Sequence, residues 1–399
     1  MFDQLRLNSW SSGLRGKLSL PLRVELWNGQ RFDFSPDPPR VTIRVPDAAA
    51  VRYLLKPSLY NLGTAYVEGA IHVSGRARDM IAVVGALAAS SVPRNRLMKA
   101  LRAITHTRDL DAKAVRYHYD VSNAFYGAWL DPGMVYSCAY FENGDETLGE
   151  AQLKKIDHIL RKIRLAPGHT LLDIGCGWGA LAIRAAQRYG ARCVGITLSE
   201  NQARLAREQV ERAGIGHLVK IRLEDYRDLA GKFDRITSVG MFEHVGVRHL
   251  PDYFARISCL LADGGVAMNH GLTTTDVDRK AAPYGGGEFI QRYVFPHGEL
   301  AHLSTVLRAM QEGGLEALDI ENLRRHYART CEIWTDNFES NAEQIKLLAE
   351  PRQFRIWHVY LAGCAYAFAN DWISVYQVVC GKAGRDPGGH PWSRSFMYR

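Results

Sequence analysis

Residues 171–180 read LLDIGCGWGA. The apolar run Leu171, Leu172 and Ile174 carries one acid, Asp173, and breaks into glycines at alternate positions, Gly175, Gly177 and Gly179. A helical pattern, ALAIRAAQRYG (180–190), follows. The stretch predicts a buried strand, a tight turn and a helix N-terminus meeting at one point. Glycine there admits positive φ and lets a ligand approach with no Cβ in the way. The spacing is G-x-G-x-G, not the dinucleotide G-x-G-x-x-G, and no P-loop Lys-Ser/Thr follows. An acid just before the glycines suits a cationic ligand end better than a pyrophosphate. These features point to S-adenosylmethionine (SAM), whose amino group Asp173 can hold directly or through water. A purely structural turn is the alternative.

A chain of 399 residues allows two domains with a real core. Its seven cysteines show neither C-x-x-C pairs nor zinc spacing, which reads as reduced thiols in a cytoplasmic protein. The start, MFDQLRLNSW, has no apolar h-region, so no signal peptide is expected. The longest apolar run, 81–89, is too short to span a bilayer. The net charge is +8, and residues 1–118 hold 18 Lys and Arg against 9 Asp and Glu. A basic region of this kind meets nucleic acid, an anionic membrane surface, or only solvent. No helix-turn-helix spacing, zinc finger or RNP motif is present, which disfavours nucleic acid.

Residues 17–76 read as a small α+β domain. Leu22–Trp27 alternates, Asn28-Gly29 signals a hairpin, and Arg31–Phe34 returns. Val41–Val45 is a further β-rich run, Ala48–Leu55 looks helical, and Ala65–Val73 resembles a strand pair about Glu68-Gly69. An apolar helix over Asp79–Ala89 precedes a basic amphipathic stretch, 94–102, suited to a membrane surface or to a plain linker. The predicted division is an N-terminal domain, 1–108, and a catalytic domain, 109–399. In the second, aromatic-rich 114–130 and a long helix from Thr147 to Leu165 lead into the glycine turn. Strands 192–198, 219–223, 233–239 and 265–272 then alternate with helices 199–213 and 250–261, apart from two consecutive strands at 219–223 and 233–239. That alternation predicts a Rossmann-like, doubly wound, mostly parallel α/β sheet, with ligands at the carboxyl ends of its strands.

Each strand end therefore repays inspection. GITLSENQ (195–202) offers Thr197 for ribose hydroxyls and Gln202, although Ser199-x-x-Gln202 is also a capping box. LEDYRDL (223–229) offers Asp225 to accept the adenine amino group and Tyr226 to cover the ring; a turn acid and a core tyrosine are the alternative. SVGMFEHVG (238–246) and MNHGLT (268–273) bring Glu243 and His270 to neighbouring strand ends, a pair suited to acid–base chemistry or to holding an anion. Glu243-His244 is not a metal motif, since no second ligand follows at helical spacing. The excursion 273–300, with YGGGEFIQRYVFP (284–296), suits a cap over an apolar tunnel or a surface insertion.

The motifs YSCAYFENGDETLGEAQ (136–152), LLDIGCGWGALAIRAA (171–186), VGITLSENQ (194–202), SVGMFEHVG (238–246), HYARTCEIW (326–334) and GCAYAF (363–368) occur in one order. From about Val115 onward the chain resembles the cyclopropane-fatty-acyl-phospholipid synthases and the related mycolic acid cyclopropane synthases. The N-terminal domain resembles that of the phospholipid-acting members. The resemblance implies a class I SAM-dependent methyltransferase. Such enzymes transfer the SAM methyl to a cis double bond of a membrane phospholipid's acyl chain and close a cyclopropane, with bicarbonate taking the proton. It further implies SAM contacts at Tyr136, Ser137, Gly175, Gly177, Thr197, Gln202 and Tyr226. The bicarbonate cage would draw on the backbone of Cys138 and Leu272 and the side chains of Glu243, His270 and Tyr327. A peripheral enzyme at the inner membrane face is expected, with docking or homodimerisation as the N-terminal role. Acyl-chain methylation giving branched products and small-molecule N-methylation are the competing activities.

Overall fold

The computed structural model describes residues 12, 19–91, 121–277, 285–296, 298–385 and 389–398. The basic stretch 94–102 lies outside them. The chain divides into two compact units: residues 1–102, 280–296 and 331–370 form one, and 103–279, 297–330 and 371–399 the other. Where the sequence suggests a single boundary near Asp109, these units interleave along the chain.

In the first unit, β1 (Leu22–Leu26) pairs antiparallel with β2 (Arg31–Asp33) across the Asn28-Gly29 turn, where Gly29 has φ 83°. β1 also pairs in parallel with β3 (Val41–Val45), and β3 pairs antiparallel with β4 (His72–Ser74). Alternation buries Leu22, Val24 and Leu26 together with Val41, Ile43 and Val45 on one face, against Leu54, Leu62 and Leu87 from the helices. The predicted strand pair over 65–73 is corrected: Leu59–Val67 is a helix capped by Ser58, and only His72–Ser74 is extended. Burial of Leu62, Ala65 and Val67 on a helical face outweighs the β-propensity of the valine. Later segments complete the unit. Ala77 and Ile81 pack on Ala362 of helix Pro351–Ala369, and His358 bridges Tyr66 and Glu339.

The second unit holds a seven-stranded sheet. Its members are β5 (Thr170–Ile174), β6 (Arg192–Thr197), β7 (Val219–Leu223), β8 (Phe233–Val239), β9 (Leu261–Thr274), β10 (Leu315–Asn322) and β11 (Ile373–Lys382), in the order β10-β11-β9-β8-β5-β6-β7. β5 to β9 run parallel, while β11 runs antiparallel to β9 and to β10. The chain leaves β5 toward β6 and returns to β8 on the other side. The switch point thus lies at the carboxyl ends of β5 and β8, where an open α/β sheet binds its ligand. This is the class I SAM-dependent methyltransferase fold.

Candidate active site

A cavity opens at the switch point. Its floor is the glycine turn, with Gly175, Gly177 and Gly179 at φ 76°, 54° and 88°. A Cβ on Gly177 would meet nothing within 4 Å, so that glycine serves the left-handed turn and the open approach, not tight packing. Helix Ala180–Tyr189 starts directly after the turn and aims its N-terminus here.

Every residue expected at SAM lines this cavity. Tyr136 and Ser137 close one side, Asp173, Gly175 and Gly177 the floor, and Thr197, Gln202, Asp225 and Tyr226 the far strand ends. Their polar groups are already engaged. Thr197 Oγ1 donates to Gln202 Oε1 (2.9 Å) and accepts from the Ser199 amide (3.2 Å). Ser199 Oγ accepts from the Gln202 amide, so half of the expected capping box forms; the glutamine side chain turns to Thr197 instead of back to the Ser199 amide. Asp225 grips Arg227 through both oxygens, at 2.9 and 2.6 Å. Tyr226 packs edge-on against Tyr253. Asp173 accepts from Thr237 Oγ1 at 2.8 Å, and burial pushes its carboxyl up to about 6.

Sequence reasoning missed Lys155. This fully buried residue of helix Leu148–Lys162 reaches the same cavity and donates to Ser137 Oγ at 2.8 Å; burial lowers its ammonium to about 8. The signal is present in the chain: an amphipathic helix whose buried face carries Gln152, Lys155, His158 and Lys162 is not packing apolar core alone. Met134 was also missed. It sits in the cavity wall at φ 55°, held there as Asp131 accepts from the Gly133 and Val135 amides.

The second constellation is not part of the cavity lining, although Ser137, Met241 and His244, its chain neighbours, are. Gly271 explains how it assembles. A Cβ there would lie 1.8 Å from the Phe242 ring, so only glycine lets the turn Phe242–His244 lie on β9. Glu243 Oε1 then accepts from the Leu272 amide at 2.6 Å. Leu272 N–H is therefore directed at Glu243. Burial raises the Glu243 carboxyl to about 7 and lowers the His270 imidazole to about 3. Among the described residues, Glu243 Oε2 and His270 Nε2 are buried with no hydrogen-bond partner. Cys138 is fully buried, its thiol pushed well up by desolvation and directed at the carbonyls of Ala139 and Leu323. The adjacent Ala139 amide donates to Thr330 Oγ1, three residues beyond Tyr327 on helix Arg324–Ser340. Tyr140, two residues beyond Cys138, is stacked between His158 and His326, and Tyr293 belongs to the other unit, where it donates to Glu68.

A glycine-floored cavity at the switch point of this fold, with Asp173, Thr197 and Asp225 at successive strand ends and Gln202 on the helix after β6, defines a SAM-dependent methyltransferase. The chain belongs to the mycolic acid cyclopropane synthetase family, whose family model matches residues 106–378. Residues 9–96 match a domain of unknown function. A probable fatty acid methyltransferase of Pseudomonas putida is 46% identical, over 96% of this chain and 97% of its own. A tuberculostearic acid methyltransferase of Mycobacterium tuberculosis is 36% identical over 90% and 87%. A solved mycolic acid cyclopropane synthase, complexed with SAH and CTAB, aligns with a TM-score of 0.65 at 36% identity, over 68% of this chain and 98% of that one.

Proposed function

We propose that this methyltransferase acts on the cis double bond of an unsaturated acyl chain in a membrane phospholipid and closes it to a cyclopropane. The observation that carries the reading is the unsatisfied pair of buried atoms, Glu243 Oε2 and His270 Nε2. A buried polar group without a partner costs about 1–3 kcal/mol, and two such groups on neighbouring strand ends suit a polar guest. The pair fits bicarbonate. A carboxylate oxygen accepts from the ion's hydroxyl, and an imidazole N–H donates to its charged oxygen. Bound there, bicarbonate supplies a proton acceptor; SAM supplies an electrophilic methyl.

The chain's own residues do the rest. An alkene is a weak nucleophile, so the cavity must fix the methyl donor closely and keep water from a carbocation. The glycine turn, Thr197 and Gln202 position the donor, and Tyr226 covers it. Glu243, fixed by the Leu272 amide, and His270 hold the acceptor, with Tyr327 and the Cys138 backbone completing the cage. No described helix is long and apolar enough to cross a membrane. Access to lipid is then peripheral, with the basic N-terminal third docking on the anionic inner face.

A second reading draws on the relatives named as a probable fatty acid methyltransferase and a tuberculostearic acid methyltransferase: methylation that ends in a branched alkene, not a ring. The two products have equal mass. The test incubates the full chain with SAM and vesicles of unsaturated anionic phospholipid, with and without bicarbonate, and resolves the product by NMR. Ring protons that depend on bicarbonate support the proposal; a branched alkene, or a ring indifferent to bicarbonate depletion, removes it. Vesicle binding that ignores salt removes the docking role, since surface charge acts only over a Debye length of ~8–10 Å.

A further inference from the structure

Behind His270 runs a row of polar residues, buried except for the partly exposed Glu321 at its far end, that the mechanism above leaves unused. The register of the sheet creates it. Glu321 on β10 stands opposite Gln377 on β11, and Gln377 stands opposite His270 on β9. Lys162, at the end of helix Leu148–Lys162, and His158, one turn earlier, descend onto the same row. Lys162 donates to Glu321 Oε2 and to Gln377 Oε1, the latter at 2.9 Å. His158 Nε2 contacts the same Glu321 oxygen at 2.8 Å. Gln377 Nε2 lies 3.2 Å from His270 Nδ1. Lys162 and Gln377 are completely buried, and His158 and His270 nearly so.

Chemistry fixes the direction of each bond. A lysine ammonium has hydrogens to give and no lone pair to offer, so the Gln377 oxygen must face Lys162. The amide nitrogen then faces His270 and donates, which makes Nδ1 the acceptor. A neutral imidazole carries one N–H, and with Nδ1 accepting, that hydrogen sits on Nε2. Nε2 is buried and has no hydrogen-bond partner among the described residues. Glu321 anchors the far end. Burial would raise its carboxyl, but His158 and Lys162 hold it at about 2.

We infer that Gln377, oriented by the Lys162–Glu321 pair, is a positioning residue that locks His270 in the Nε2–H tautomer and so makes it a donor toward the anion site. The inference rests on the reading that Glu243 and His270 hold a small oxyanion. An amide does not readily pass a proton, so the row orients the imidazole and does not conduct. Its cost supports a role: burying Lys162 completely takes several kcal/mol from the ammonium's solvation, Glu321 is itself partly withdrawn from water, and an apolar row of similar volume is often no less stable.

The test uses the full chain labelled with 15N-histidine and long-range 1H–15N correlation, with the His270 signals assigned by their loss in His270→Gln. In the wild type, Nε2 should be protonated and Nδ1 bare. Gln377→Met removes the donor at similar size and should leave a mixture of tautomers. Turnover should fall about 10- to 100-fold, by analogy with the loss of the hydrogen-bond partner that orients a metal-ligating histidine. The bicarbonate concentration giving half-maximal rate should rise, and SAM affinity should hold. Gln377→Glu, which keeps the contact to Lys162 but can only accept, should move protonation onto Nδ1. If Gln377→Met does not fold, the wild type and Gln377→Glu decide the matter alone. A wild-type Nδ1–H pattern, or a folded Gln377→Met with the wild-type pattern and rate, overturns the inference. A tautomer that shifts as expected without any change in bicarbonate dependence keeps the positioning role and sinks the oxyanion reading instead.

Discussion

The glycine-floored cavity and the Glu243–His270 constellation belong to one unit and differ in how their polar groups are settled. In the cavity the groups are paired among themselves: Thr197 with Gln202, Asp225 with Arg227, Asp173 with Thr237, Ser137 with Lys155. Each keeps spare capacity for a ligand, and none depends on one. Beside it, Glu243 Oε2 and His270 Nε2 are buried and find no partner among the described residues, with pKa values displaced toward neutrality of both groups. A site that is satisfied when empty tolerates the comings and goings of a cosubstrate. A site left unsatisfied is built for a resident guest and loses stability without it.

The largest effect expected from breaking this contrast is at Gly177. A valine there would have to hold φ 54°, which a β-branched residue strongly resists. Its side chain would also point into the ligand's approach. Gly177→Val should abolish SAM binding measured by calorimetry. Wild-type affinity in a folded Gly177→Val protein would show that the turn is not the cofactor site.

Glu243→Gln probes the other side. The amide keeps the size but puts an NH2 where an acceptor stood. Turnover should drop by about 10²–10⁴, the typical worth of an acid–base group, while SAM Kd stays nearly unchanged. Near-wild-type turnover in bicarbonate-depleted buffer would place the base elsewhere.

The same pair should write itself into the pH dependence of stability. Glu243 is raised from 4.5 to about 7, so the folded state holds a proton that the unfolded chain has lost. Its contribution is full below pH 4.5 and is lost as pH rises toward 7, by on the order of 3 kcal/mol. His270 is lowered from 6.5 to about 3, so it acts in the opposite sense, costing stability as pH falls below 6.5. Between pH 4.5 and 6.5 the two slopes oppose one another. Replacing Glu243 with glutamine removes one of them. The stability advantage of Glu243→Gln over wild type should therefore grow from pH 5 to pH 7, and denaturant titrations at several pH values read it directly. A constant difference would mean that Glu243 titrates in the fold as it does in the unfolded chain.

How much of this was legible follows the same contrast. The cavity could be read because its parts are local. LLDIGCGWGA carries strand, turn and helix start in ten consecutive residues, and each later contributor closes a strand that periodicity reveals. Glu243 and His270 could be nominated from strand ends. Their unsatisfied state could not, since it depends on what fills the space around them. Gln377 was invisible because cross-strand register, not spacing, brings it to His270, and the polar face that carries Lys162 does not by itself say that the lysine meets Gln377. The strand expected over 65–73 failed because a short apolar run suits a helix as well as a strand. The interleaved units were likewise out of reach: nothing local in 331–370 announces that Ala362 packs on Ala77 and Ile81.

The smallest effect belongs to the paired groups. Thr197→Val is nearly isosteric and removes one hydroxyl that donates to Gln202 and accepts from the Ser199 amide. Gln202 loses the bond that fixes its side chain, yet its amide remains tied to Ser199 Oγ, and the helix start is kept. The cavity is open, so water can take up part of what the hydroxyl released. One neutral hydrogen bond is worth about 0.5–1.5 kcal/mol net, which is roughly a two- to tenfold rise in SAM Kd. Turnover at saturating SAM should be almost unaffected, because Thr197 is at the far strand ends, away from Glu243. A Kd shift beyond a hundredfold would mean that the threonine binds the ligand as strongly as a charged group, and that the cavity, like its neighbour, waits on its guest.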